Sequence, residues 1–593
     1  MSANESSTSS FRDQLLTKPA WALRRSLRAG YRAADFRADV MAGIVVGIVA
    51  LPLSMALAIA SGVPPQHGLY TAIVAGAAVA ALGGSRLQIT GPTAAFVVIL
   101  APIVSQFGIG GLSVATLFAG LVLVTMGVFG LGKLIQFIPY PVTTGFTAGI
   151  AIVIASLQWR DFLGLHMAEP STHALERLAQ SAAAWRTIEP AQLGIGLFTF
   201  AVLKIWPRFV RSVPAPLVAL GLAGVVAAVV NHYWPGLAIP TINSRFTFDV
   251  GGVSGVGIPR TPPLPMLPWM LPGGDGAPLT LDLAMLRTLF LSGVAIALLG
   301  AIESLLSAVV ADGMTHDSHD PDAEILALGI GNIVAPFFGG IAATGAIART
   351  ATNIRSGGRS PISGIIHALF VLAAMITLAP LLGYLPMPAL AALLMLVAWN
   401  MSDARHAVHI LRTAPKSDAF VLVTCMLLTV VFDMVVAVTA GVVLASLLFM
   451  GRMAEVTGSN LIHEPDHAEG VPLPPKTLIY EIAGPLFFGA AEKATSALAD
   501  IGRAGTTIRA VILDIRSVPA MDATGMVALE SARDRLREAG VFVVLAGLRE
   551  QPRRVLTKAG WTGQTDQALL CDTLAEAAQA VRDYFEAHRI DAD

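Results

Sequence analysis

The sequence predicts a polytopic α-helical membrane protein followed by a small soluble α/β domain, and three observations carry that reading. Of 593 residues, 54% are hydrophobic and only 13% charged, against about 25% charge in ordinary soluble domains. The charge is uneven: 30 of the last 118 residues are Asp, Glu, Lys or Arg, whereas the remaining 49 serve the first 475. Finally, about fourteen apolar segments precede the charged part, twelve of them clear candidates for bilayer-spanning helices and two shorter or interrupted. A soluble enzyme of this length is excluded, and so is disorder, which requires low hydrophobicity. A net charge of −1 offers no basic footprint for nucleic acid. Two cysteines, Cys425 and Cys571, cannot build a disulfide scaffold.

Residues 1–38 carry Arg12, Lys18, Arg24, Arg25, Arg28, Arg32 and Arg37 without the apolar core of a signal peptide. They read as a basic cytoplasmic segment by the positive-inside rule. Residues 39–455 form the transmembrane part, 456–475 a linker rich in charge and proline, and 476–593 the soluble domain. Twelve clear spans fall at 40–60, 67–83, 112–131, 142–157, 193–205, 215–230, 289–310, 325–338, 362–382, 389–400, 420–437 and 439–450. Two shorter ones fall at 92–107 and 346–353. An even count places both termini in the cytoplasm, and Lys204, Arg208, Arg211, Arg355, Arg359, Arg405, Arg412 and Lys416 then lie in inner loops.

The two short segments share a pattern. Gly83-Gly84 precedes Thr90-Gly91-Pro92-Thr93-Ala94-Ala95, and Gly339-Gly340 precedes Thr344-Gly345-Ala346-Ile347-Ala348. Each closes the third of seven segments in its half, so the halves form a 7+7 inverted repeat, and interrupted segments at corresponding places point to a transporter site. Gly91 and Gly345 permit non-helical backbone, and Pro92 suits a helix start. Two helices beginning at mid-membrane aim unpaired N–H groups at a shared cavity, which suits an anion.

Glu303, in the apolar run 289–310, is a functional candidate because an acid at helix centre costs about 2.5–3.5 kcal/mol. It can carry a proton, or with Ser304 or Ser307 offer hard oxygen ligands to sodium. Arg349 follows the second half-helix start and can anchor the anion or pair with Glu303. Pro52-Leu53-Ser54-Met55 interrupts the first span and can line the cavity. Gly127–Lys133 resembles a phosphate-binding loop but is followed by Leu134 in place of Ser/Thr. His316, Asp317, His319, Asp320, Asp322 and Glu324 resemble a metal cluster but read as a solvated acidic loop. No nucleophile constellation is placed credibly, so the chain reads as a non-enzyme without cofactor or metal. In the soluble part, strands at 477–483, 510–516 and 541–547 alternate with helices at 490–501 and 525–538, a small α/β domain. Met521-Asp522-Ala523-Thr524-Gly525 is a turn or a binding loop.

These residues together resemble the SulP sulfate-permease family, relatives of the solute-carrier anion exchangers and prestin. The resemblance rests on 90–96 (Thr-Gly-Pro-Thr-Ala-Ala-Phe), 300–304 (Gly-Ala-Ile-Glu-Ser), 343–350 (Ala-Thr-Gly-Ala-Ile-Ala-Arg-Thr) and the 522–525 loop of a STAS domain. It implies core and gate domains that move past one another, and a homodimer in a bacterial inner membrane. It also implies an anion framed by Pro92, Thr93, Ala94, Ala95, Phe96 and by Gly345 to Arg349, with Glu303 as the proton or sodium coupling site. Many members have glutamine at Leu53, serine at Ala348 and a phosphorylatable serine at Ala523. The first two departures, with the likeness to DauA-type dicarboxylate transporters, imply proton-coupled uptake of succinate, fumarate or aspartate. Bicarbonate or sulfate carriage, a passive channel, and a scaffold recruiting cytosolic proteins through STAS are the alternatives.

Overall fold

The computed structural model describes residues 18–133, 139–167, 171, 173–210, 213–250, 252–274, 276–279, 282–432, 434–456, 458–462, 473–487, 491, 495, 498, 508–561 and 569–588. Arg12, Leu134, Arg211, the centre of the expected linker and most of the helix expected at 490–501 lie outside the described residues. The chain divides into two compact units at Val443.

In the first unit a short helix, α1 (Trp21–Arg28), precedes the long α2 (Ala33–Ala60) and α3 (Pro65–Leu82). The strand β1 (Thr90–Gly91) leads into α4 (Ala94–Val128), followed by α5 (Tyr140–Leu163), α6 (Pro190–Phe209) and α7 (Ala215–Tyr233). A hairpin, β2 (Thr247–Val250) with β3 (Val253–Val256), joins the halves. The second half runs α8 (Leu283–Thr315), α9 (Pro321–Val334), β4 (Thr344–Gly345), α10 (Ile347–Arg355), α11 (Ile362–Leu382), α12 (Met387–Ser402) and α13 (Lys416–Val431), and α14 (Met434–Val456) contains the division at Val443.

Nine helices among the described residues are long and apolar enough to span a membrane. The other expected segments correspond to the second part of α4, to α3, α6 and α13, and to the nine-residue α10. Two sequence readings shift. Helix α2 runs unbroken through Pro52, because neighbouring helices hold a span that has lost one backbone bond. The break expected at 438 falls at Phe432 instead, six residues earlier, where Val431 ends α13.

The inverted repeat is visible in which helices touch. The second part of α4 packs on α8 and α9, and its counterpart α11 packs on α2 and α3. Likewise α5 packs on α12 and α13, while α12 packs on α5 and α6. Both sets exchange when each helix is advanced by seven segments. Small residues make the contacts close: Gly120 sits against Gly329 and Ile333, and Gly43 and Gly47 against Ile366 and Phe370. The buried carboxylate of Asp39 ties α2 to the turn before α11, accepting from Arg359 N at 2.6 Å, Ser360 Oγ at 2.5 Å and Tyr31 Oη at 2.8 Å.

The acidic stretch at 316–324 is not a solvated loop, contrary to its sequence pattern. Asp317 pairs with Arg25 at 3.0 Å and Arg86 at 2.8 Å, docking α1 on the end of the bundle. Asp322 accepts from Gly132 N at 3.0 Å, and Glu324 is 1% exposed. Asp320 caps α9 ahead of Pro321, so Glu324 enters the bundle on the first turn of a buried helix.

In the second unit a five-stranded sheet runs β5 (Gly458–Ile462), β6 (Thr477–Ala483), β7 (Ala510–Asp514), β8 (Phe542–Ala546), β9 (Leu569–Cys571), with β5 antiparallel and the rest parallel. Helices α15 (Ala523–Glu538), α16 (Glu550–Lys558) and α17 (Leu574–Ala587) follow, and apolar clusters cover the sheet on both faces. Residues 458–462, expected in the linker, form its edge strand. Asp522 caps α15 by accepting from Gly525 N at 2.8 Å, and Gln551 clamps Met521 by two 2.9 Å bonds. That loop is therefore a built turn.

Helix α4 changes course at Gly108, whose φ of 68° and ψ of −171° lie in a region open essentially to glycine. A β-carbon there would stand 2.3 Å from the Gly273 carbonyl carbon. Gly108→Ala is therefore expected to destabilise the protein by about 1–3 kcal/mol or more, read as a lowered midpoint in thermal unfolding of the solubilised protein.

Candidate functional site

The two interrupted segments meet. Strands β1 and β4 pair antiparallel, with Thr90 opposite Gly345 and Gly91 opposite Thr344, and Ala346 N donates to Ile89 O at 2.9 Å. This brings the N-termini of α4 and α10 face to face. The helices start two residues later than the motif suggested. Thr93 is the N-cap of α4 and Ala346 that of α10, so Pro92 and Gly345 belong to the approaches.

Neither N-terminus is capped by its own side chain. A threonine at an N-cap ordinarily accepts from the N2 or N3 amide. Here Thr93 Oγ1 donates to Glu303 Oε2 at 2.7 Å, and alanine at the other cap has nothing to offer. The terminal N–H groups of both helices, with the positive ends of their dipoles, are left for a ligand.

The remaining residues enclose that point. Pro92, Thr93, Ala94, Ala95 and Phe96 are all buried, and Phe96 lies over Gly300, one turn before Glu303. On α10, Ala346 is buried while Ile347, 38% exposed, and Ala348 face open space. Arg349 is 1% exposed, and its Nη2 donates to Pro92 O. Nε and Nη1 have no protein partner. Glu303 and Arg349 interact by charge without forming an ion pair. Ser54 is fully buried with its hydroxyl unpartnered, and α2 packs on α10.

The hydroxyls expected beside Glu303 are engaged elsewhere. Ser307 Oγ donates to Thr350 Oγ1 at 3.2 Å, and Ser304 Oγ accepts from Gln88 Nε2 at 2.6 Å. The missed residues are Thr93 as the partner of Glu303, and Glu324, a buried acid behind the crossing strands. Glu324 Oε2 accepts from Gly84 N and Ser85 N, both at 2.9 Å, and its Oε1 from Gln88 Nε2 at 2.8 Å. This network anchors the strand leading to Thr90. The Asp320-Pro321 helix start was the signal that places Glu324 inside. Among the described residues no group of three His, Cys, Asp or Glu side chains could hold a metal ion.

Inverted halves whose broken third segments meet end to end define a helical membrane protein of the inverted-repeat transporter fold. The profile described as Sulfate permease family matches residues 36–425, and that of the STAS domain residues 469–577. The chain belongs to the sulfate permease family and carries a STAS domain. Among its relatives, the candidate sulfate transporter YvdB of Bacillus subtilis is 39% identical over 86% of this chain and 91% of that protein. The bicarbonate transporter BicA of Picosynechococcus is 29% identical over 86% and 88%. The murine anion transporter Slc26a9, in its inward-facing state, shares the fold with a TM-score of 0.79 at 17% identity, covering 98% of this chain and 97% of that one.

A β-carbon on Gly91 would lie 2.6 Å from Arg349 Nη1. Gly91→Ala is expected to push the flexible guanidinium aside, sparing the fold but weakening anion binding about tenfold, or about 1.4 kcal/mol. Titration of the purified protein with its anion, alongside thermal unfolding, checks both halves of that outcome.

Proposed function

We propose that this chain is a secondary active carrier of a small oxyanion, sulfate or bicarbonate, taken up with a proton across a bacterial inner membrane. The observation that carries the reading is the pair of uncapped helix ends facing each other beside Glu303 and Arg349. Its relatives named for sulfate and bicarbonate support the substrate class.

The charges supply a coupling mechanism. With Glu303 ionised and Thr93 donating to it, the carboxylate and Arg349 cancel, and only the helix dipoles attract an anion. When Glu303 takes a proton, the Arg349 charge is uncompensated in a low-dielectric setting, where one charge weighs heavily. Anion and proton then promote each other's binding by the same factor. The loaded site is closer to neutral than the anion alone, which suits its passage through the membrane as the core half-helices move against the gate. With Ser304 and Ser307 engaged elsewhere, the hydroxyl that reaches Glu303 is that of Thr93, one oxygen where a sodium site takes several, which favours the proton.

A four-carbon dicarboxylate is the second reading. It is favoured by alanine at 348, exposed on the first turn of α10, where a polar side chain would suit a compact oxyanion. Competition by sulfate, bicarbonate and succinate against labelled uptake separates the two.

In proteoliposomes, an inward proton gradient is expected to raise uptake severalfold, and exchange of sodium for choline to leave it unchanged. Glu303→Gln is expected to abolish the gradient effect while leaving anion exchange measurable. Retention of gradient-driven uptake by that variant would remove Glu303 from the coupling role.

A further inference from the structure

Behind the first crossing strand lies a buried histidine that the mechanism above does not use. His367 sits on α11, fully buried, and neither ring nitrogen has a protein partner. Helix α11 follows the strand closely: Gly364, one turn earlier, faces Ile89 and the Gln88 carbonyl. A β-carbon on Gly76 of α3 would lie 3.2 Å from Thr90 O and 4.0 Å from His367 Nδ1. The ring and the Thr90 carbonyl therefore face the same point on α3. Arg349 approaches the adjoining residue, with Nη1 against Gly91, and its charge acts on the His367 ring.

Three sets of unpartnered polar atoms thus gather on one dipeptide: Arg349 Nε and Nη1, the Thr90 hydroxyl, and both nitrogens of His367. Buried polar atoms left unpaired are rare because they are costly. Their chemistries are complementary. A guanidinium only donates, a neutral imidazole offers one acceptor, and a hydroxyl does both. His367 and Arg349 do not bond directly, and a site with two or more such partners is of the kind that holds a buried water.

We propose that His367 is a positioning residue for the anion site: through buried water it accepts from Arg349, giving the guanidinium a second anchor besides the Pro92 carbonyl. The plane of Arg349, and so the direction of its donors, is then set from two sides. This rests on the reading of Arg349 as an anion-binding residue, and the test separates the two.

The variants are His367→Gln, which keeps a donor and an acceptor, His367→Leu, which keeps neither, and Arg349→Lys, each in proteoliposomes with sulfate and bicarbonate as probes. His367→Met repeats the apolar replacement should the leucine variant not insert. His367→Leu is expected to raise KM about tenfold with maximal rate within about twofold, and His367→Gln to stay within about threefold of wild type. On the Arg349→Lys background the leucine change is expected to add nothing further, because the contact it removes is already gone. An unchanged KM in His367→Leu and His367→Met, or losses that multiply in the double variant, overturns the proposal. If Arg349→Lys itself leaves KM unchanged, the anion-site reading fails first.

Discussion

Everything at the site depends on four residues of extended chain. Thr90-Gly91 and Thr344-Gly345 pair antiparallel in the middle of the helical bundle, satisfying backbone groups that hydrocarbon could not. Without that pairing the two half-helices would have no reason to point at each other. With it, two sets of free amide donors and two dipole ends converge on a space closed by Phe96, Thr93 and Arg349. Gly345 is required for the closeness, since a β-carbon there would meet Gln88 Nε2 at 2.3 Å.

The surrounding polar groups serve that crossing. Glu324 and Gln88 hold the chain before Thr90, Thr350 Oγ1 accepts from Ile89 N at 3.0 Å, and Thr344 Oγ1 donates to the Gly300 carbonyl at 2.8 Å. These contacts link α8, α9, α10 and the approach to α4 across long sequence separations. A bundle segment tied in this way is cross-linked through its own side chains, as the proposed carriage of an anion past a gate requires of the part that moves. The docked α1, held by Lys18, Arg25 and their acidic partners, belongs to the same assembly.

Much of this was legible in the residues, and the reasons for the rest are physical. The duplicated Thr-Gly motif announced both half-helices because it recurs at corresponding places in the two halves, whereas a single Thr-Gly does not break a helix: Thr144-Gly145 lies inside α5. The spans were legible because a 20-residue apolar requirement leaves few alternatives. Register was not, because a two-residue ladder has no periodicity to read. Thr93 as the partner of Glu303 was hidden for the same reason: 210 residues separate them, and only the fold brings them together. Glu324 was misread because six neighbouring acids and histidines look solvated in one dimension. Three of them, Asp317, Asp322 and Glu324, are consumed in docking contacts. In the soluble domain the strands of 510–514 and 542–546 followed from continuous apolar runs, while the edge strand at 458–462 was hidden in a polar, proline-flanked stretch.

In the proposed mechanism one proton on Glu303 and one anion between the helix ends bind as a linked pair. Proton uptake on anion binding tests it most directly, by adding anion to the weakly buffered, purified protein at a pH where Glu303 is ionised in the empty site. Linked binding is expected to take up close to one proton per anion bound, and Glu303→Gln to take up none. Anion binding with no proton uptake in the unaltered protein would contradict it.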